Sequence, residues 1–213
     1  ECITLAIDPY EVDRTAYAAF LADGSKPSSP GCSWKNDFTP DDWTAQQANP
    51  SLPVVGVDWC DAFTFCAWKG KHLCGKIGGG MVAYASHTDP GLSEWMNACS
   101  SGGDLTFPYG ALYETQKCND GAMSKSGAVE GLFAGNSSQI SGCRSPRKAY
   151  SGTINLLGNV AEWENACEKD ASSSSSGAGA SDKCRARGGA FDTPSGDMAK
   201  GCAYTPGDSP RDH

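Results

Sequence analysis

The stretch Pro53-Val54-Val55-Gly56-Val57-Asp58-Trp59-Cys60-Asp61-Ala62-Phe63-Thr64-Phe65-Cys66-Ala67-Trp68-Lys69-Gly70-Lys71-His72-Leu73-Cys74 carries the clearest pattern in the chain. Val54 to Val57 is a brief apolar run, and Asp58 is a residue type that opens helices by accepting a backbone N–H. Beyond it Trp59, Ala62, Phe63, Cys66 and Ala67 recur at helical spacing. That predicts a helix ending near Gly70, where glycine allows the left-handed backbone that stops helices. Trp59 and Phe63 lie four apart, as do Asp58 and Ala62, so an aromatic face is expected to pack inward.

Outward from this segment the chain alternates short elements with long polar stretches. Ile3, Leu5 and Ile7 alternate with Thr4 and Ala6, which predicts a short strand turned by Asp8-Pro9. Val12 to Phe20 predicts a helix with Asp13 or Thr15 near its cap and Tyr17, Phe20 and Leu21 on one face. Residues 22–53 are rich in Pro, Gly and Ser and long for a loop, so Cys32 is expected to tether them. Leu92 to Cys99 predicts a third helix, with Leu92, Trp95 and Met96 sharing a face. Residues 102–152 look irregular, with Cys118 and Cys143 as staples. Ile154 to Trp163 is apolar but broken by Gly158-Asn159. Residues 171–181 are a low-complexity Ser/Gly/Ala loop, and a disulfide from Cys167 to Cys184 would close it naturally. Arg185 to Phe191 predicts a strand. No repeat or linker divides the chain, so residues 1–213 are expected to form a single domain.

The 213 residues include 11 cysteines, spread almost evenly. Even spacing without a CxxC pair points to long-range disulfides in an oxidising compartment rather than to zinc, and hence to a secreted, extracellular protein. The odd count leaves one cysteine free, joined to another chain by an intermolecular disulfide, or parted from its partner. Glu1 opens the chain where a Met would start it, which fits processing, and no signal peptide is legible. The net charge is -8, from 17 Lys plus Arg against 25 Asp plus Glu. An acidic chain without a basic stripe argues against nucleic acid as a partner, and its apolar runs are too short for a membrane span. Mean hydropathy is -0.42.

Five blocks in order resemble the formylglycine-generating enzyme (sulfatase-modifying factor) family. The first is the Pro53–Cys74 stretch, which is similar to the family's P-V-x-x-V-s-W block ending in G-K-R-L-P. Ser93-Glu94-Trp95-Met96-Asn97-Ala98-Cys99 matches the place of its E-A-E-W-E-x-A helix. Phe107-Pro108-Tyr109-Gly110 is similar to Y-P-W-G. Leu157-Gly158-Asn159-Val160-Ala161-Glu162-Trp163 resembles M-x-G-N-V-W-E-W, with Ala161 where the family carries tryptophan. Arg187-Gly188-Gly189-Ala190-Phe191 resembles R-G-G-S-W/F. The resemblance implies an α+β fold, irregular, loop-rich and disulfide-stapled, of the formylglycine-generating enzyme type and related to C-type lectins. It is closest to a cysteine-rich secreted branch.

Active members of that family oxidise a substrate cysteine to formylglycine with a copper ion held by two cysteines five apart, soft thiolates that suit Cu(I). The resemblance puts those places at Thr193 and Met198, and no cysteine occurs between Cys184 and Cys202. Copper and the oxygen chemistry are therefore not expected, and no catalytic residue is assigned. The resemblance further implies structural Ca²⁺ at Asn159 and Glu162 with carbonyls near Val160, an oxygen donor set suited to a hard cation. A second calcium place is implied near Cys118-Asn119-Asp120, with Asn119 as ligand and Glu130 as a further carboxylate. The bland alternative is that Asn159 caps a turn and Glu162 pairs with a surface cation.

Other chemistry finds no pattern. His72, His87 and His213 are scattered, no GxSxG elbow exists, and Gly75-Lys76-Ile77-Gly78-Gly79-Gly80 lacks the order of a phosphate loop. The expected function is a non-catalytic, calcium-stabilised binding or structural domain, its ligand a protein, peptide or glycan met by residues 22–53 and 102–152. The alternatives are a metal-dependent oxidase with a divergent active site and one component of a larger secreted assembly.

Overall fold

The computed structural model describes residues 6–29, 31–123, 128–169, 171 and 179–210. Helices α1 (Arg14–Ala22), α2 (Trp43–Gln46), α3 (Trp59–Trp68) and α4 (Glu94–Cys99) precede β1 (Glu162–Glu168) and β2 (Lys183–Arg187). A short α5 (Ser195–Met198) and a final strand β3 (Asp208–Pro210) complete the order. The strands form one antiparallel sheet in the order β1-β2-β3. The result is the α+β, loop-rich architecture expected.

Local chemistry sets the helix bounds. Asp13 caps α1, its Oδ1 accepting from Ala16 N at 2.7 Å. Asp58 and Asp61 cap α3 reciprocally: Asp61 N donates to Asp58 Oδ1 at 2.8 Å and Asp58 N to Asp61 Oδ2 at 3.0 Å. At the other end Gly70, with φ +70°, closes a Schellman motif in which Lys71 N reaches Cys66 O and Gly70 N reaches Ala67 O.

The inward face of α3 is broader than its spacing predicts. Trp59, Cys60, Asp61, Thr64 and Phe65 are buried, whereas Ala62, Phe63, Cys66 and Ala67 are half-buried. Trp59 and Phe63 do stack, at 4.7 Å between ring centroids. The helix is covered on two sides: Phe65 packs with Tyr17 and Phe20 of α1, and Cys60 is bonded to Cys32 of the long loop.

Among the described residues four disulfides join Cys32–Cys60, Cys99–Cys202, Cys118–Cys143 and Cys167–Cys184. Cys32 is the tether expected, and Cys167 and Cys184 face one another across the β1–β2 ladder. Cys66 and Cys74 are the free thiols among the described residues, and Cys2 lies outside them.

Three predicted elements differ. Leu92 precedes α4 and is exposed, because Ser93 rather than Leu92 begins the helix, its Oγ accepting from Met96 N. The strand expected over Arg185–Phe191 runs instead over Lys183–Arg187, because Gly188 (φ +79°) and Gly189 (φ +68°) turn the backbone out of the sheet. Ala6 and Ile7 carry no regular structure, and the rest of the expected N-terminal strand, like most of the low-complexity loop, falls outside the described residues.

Candidate functional site

The Gly158-Asn159 and Arg187-Gly188-Gly189 segments meet backbone to backbone. Gly158 N donates to Gly188 O at 2.9 Å and Phe191 N to Asn159 O at 3.0 Å. The contact excludes side chains. A Cβ on Gly188 would stand 2.6 Å from Leu156 O, and one on Gly158 would stand 2.4 Å from Asn119 O. These glycines are required by close approach as well as by positive φ.

Arg187 anchors the junction from inside the core. Its Nη1 donates to Glu164 Oε2 at 3.2 Å and to His87 O at 2.8 Å, and its Nη2 donates to Cys202 O at 3.0 Å. The guanidinium also lies 4.4 Å from the centre of the Trp95 ring. Both members of the ion pair are fully buried. Burial lowers Arg187 to about 10 and raises Glu164, so desolvation outweighs their attraction on both sides.

Past the junction the chain turns back on itself. Thr193 and Met198, at the places where the resemblance puts the copper-binding pair, are both buried and converge on Gly189. A Cβ added there would meet Thr193 Oγ1 at 3.0 Å and Met198 Sδ at 3.1 Å. Thr193 Oγ1 accepts from Ala190 N at 2.8 Å. Met198 belongs to an apolar cluster with Phe107, Tyr109 and Leu157.

The expected calcium ligands fall into two places. Asn119 and Asn159 adjoin: Asn119 Nδ2 donates to Asn159 Oδ1 at 2.8 Å and to Gly131 O at 2.9 Å. Asn159 Oδ1 also accepts from Phe133 N at 3.0 Å, and its Nδ2 donates to Phe133 O and to Glu11. Asn159 therefore does more than cap a turn. Asn119 Oδ1, by contrast, is buried and without a hydrogen-bond partner. Glu162 stands apart, its Oε2 accepting from Trp95 Nε1 at 2.7 Å, and Val160 shares a cavity wall with it. Glu162 is thus bonded to an indole rather than paired with a surface cation. Glu130 is bonded to Arg14 at 2.8 Å and to Asn49. Among the described residues no group of three or more His, Cys, Asp or Glu could hold a metal ion.

Two residues of this network carried no signal in the sequence. Glu11 accepts from Asn155 Nδ2 at 3.2 Å and from Asn159 Nδ2 at 3.1 Å. Burial, reinforced by the Glu162 charge, raises Glu11 to about 8, and burial raises Glu162 to about 7. Asn155 sits at φ +66°, a conformation asparagine tolerates. Burial likewise pushes the Cys66 thiol up to about 11 and raises Cys74, which favours the protonated thiol over the reactive thiolate in both.

Fold, staples and glycine junction together define a disulfide-rich α+β domain of the formylglycine-generating enzyme type. The chain belongs to the family of the sulfatase-modifying factor enzyme 1-like domain, whose model matches residues 2–209. It is similar to the inactive C-alpha-formylglycine-generating enzyme 2 of Mus musculus, 31% identical over 53% of this chain and 31% of that protein. It is also similar to the formylglycine-generating enzyme of Mus musculus, 27% identical over 62% of this chain and 32% of that protein. The chain thus spans about a third of the length of the curated relatives it matches. Among solved structures, that of CarF matches 96% of this chain and 82% of its own, at 17% identity and a TM-score of 0.47.

Proposed function

We propose that the chain is a secreted, non-catalytic binding or structural domain that keeps the family's scaffold without its copper centre. The observation that carries this reading is the filling of the junction by Thr193 and Met198, each placed against Gly189. A threonine hydroxyl already accepting from Ala190 N is no substitute for a thiolate, and a lone thioether is a weak soft donor. The names of similar proteins cover both an inactive and an active form, so the residues at the site weigh more than the names. Four disulfides support an extracellular setting. The test is incubation with copper(I), oxygen and a cysteine-containing peptide, followed by hydrazide capture of aldehyde. No aldehyde above the metal-only control is expected. Copper-dependent aldehyde would overturn the reading in favour of an oxidase with a divergent active site.

A structural calcium ion is a second proposal, favoured by one atom. Asn119 Oδ1 is a buried, unpartnered amide oxygen of the kind a hard cation takes up. Asn159 Oδ1, filled by two N–H donors, and Glu162, on the cavity, do not complete a shell around it as placed. Elemental analysis after dialysis tests this: stoichiometric calcium that Asn119→Ala removes supports it, and calcium-free protein whose melting temperature ignores chelator rejects it.

A further inference from the structure

Asn136-Ser137-Ser138 is an Asn-x-Ser/Thr sequence whose middle residue is not proline, the pattern on which an oligosaccharide is transferred to an asparagine amide in a secretory pathway. No other asparagine in the chain meets this pattern. Asn49 is followed by Pro50, whose ring fixes the backbone at the place where the acceptor must turn. Asn97 and Asn165 have a cysteine two residues on, but Cys99 and Cys167 are committed to disulfides. The Asn97 amide, moreover, donates to Pro90 O at 2.8 Å.

An acceptor has to be presented to solvent, and the fold presents this one. The chain turns over residues 134–137, where Ser137 N donates to Ala134 O at 2.8 Å, and Asn136 stands exposed at that turn. Ser138, whose hydroxyl completes the pattern, is exposed as well. Among the described residues no hydrogen bond engages the Asn136 side chain, in contrast to the bonded amides of Asn119, Asn155 and Asn159. The turn itself is held from three sides. Phe133 before it and Ile140 after it are buried together with Met123. Ser137 Oγ accepts from Gln139 N and opens the short helical turn Ser138–Ile140. Gly135 lies against Tyr10, so closely that a Cβ there would stand 2.6 Å from Tyr10 Cβ. A sugar on Asn136 therefore projects into solvent without disturbing the residues that anchor its base.

We propose that Asn136 is an N-glycosylation site. In the transfer, Asn136 Nδ2 forms a bond to the anomeric carbon of a polyprenyl-diphosphate-linked oligosaccharide. The bond from that carbon to the diphosphate breaks, the polyprenyl diphosphate leaves with the electron pair, and the amide gives up one proton, so nothing is oxidised or reduced. The inference rests on the secreted reading above, because the lipid-linked donor is met in the lumen of the secretory pathway. It adds that the turn over residues 134–137, within the long 102–152 segment, carries sugar.

The test uses the full chain behind a cleavable secretion leader, translated into rough microsomes, so that it meets the transferase directly. Protease-protected wild-type chain should gain a single mass step that peptide N-glycosidase removes, with the acceptor converted to aspartate in tandem mass spectra. Asn136→Gln and Ser138→Ala should each lose the step, and Ser138→Thr, which keeps the hydroxyl, should retain it. Protected wild-type chain of unmodified mass overturns the proposal, and so does a step that survives Asn136→Gln or Ser138→Ala. Neither failure touches the non-catalytic reading, which the aldehyde assay decides. A glycosylated chain that makes aldehyde with copper would sink that reading and leave this site standing.

Discussion

Replacing Arg187 by methionine removes the one cation buried at the glycine junction. Methionine conserves much of the apolar stem but leaves Glu164 with a single donor, Ser93 Oγ, in a fully buried site. It also strips donors from the carbonyls of His87 and Cys202. An uncompensated buried charge of this kind costs about 3–5 kcal/mol. Because burial already outweighs attraction for both partners, removing the two charges together should be far milder than removing one. Guanidinium unfolding of wild type, Arg187→Met, Glu164→Gln and the double variant gives the coupling directly. The double variant should recover about 2 kcal/mol or more of the summed single losses. Arg187→Met costing under about 1 kcal/mol, as an exposed pair would, refutes the reasoning, as do strictly additive losses.

Three further outcomes follow from particular contacts. The Cys99–Cys202 bond spans 103 residues, and the chain-entropy model assigns such a loop about 4–5 kcal/mol before the nested staples shorten it; Cys99→Ser/Cys202→Ser should lose at least about 2 kcal/mol in urea, and a loss under half of that contradicts it. Gly158→Ala forces a Cβ to within 2.4 Å of Asn119 O at φ +80°, so it should cost about 1–3 kcal/mol by thermal unfolding; an unchanged melting temperature contradicts the close approach. Burial and the neighbouring Asp58 raise Asp61 from 3.8 to about 7, so the folded state holds a proton that the unfolded chain releases in that window. Stability from this group is present at low pH and is lost as pH rises through about 7, by at most about 1.4 kcal/mol per pH unit. Asp61→Asn should flatten the profile there relative to wild type, and parallel profiles would contradict the assignment.

What the sequence revealed was local. Asp58 and Gly70 bound α3 because a carboxylate cap and a left-handed glycine act within a few residues of themselves. The Gly188-Gly189 pair stood in the sequence as part of a recognisable block, but its reach was not legible. That the strand ends at Arg187 follows from Gly158 and Leu156 lying against those glycines, a contact some thirty residues distant. The pairing of Cys99 with Cys202 is likewise tertiary. Thr193 and Met198 could be placed by resemblance, whereas their convergence on Gly189 required the turn between them. Glu11 and the cavity stayed hidden, since the walls come from the N-terminal segment, α3, the residues before α4 and the start of β1. No spacing rule links those segments.

The most direct measurement is copper(I) stoichiometry under a competing chelator, on the non-reduced protein and on Thr193→Cys/Met198→Cys. No retained copper is expected in the wild-type chain and measurable copper in the variant, because both places converge on Gly189. Near-stoichiometric copper held by the wild-type chain would contradict it.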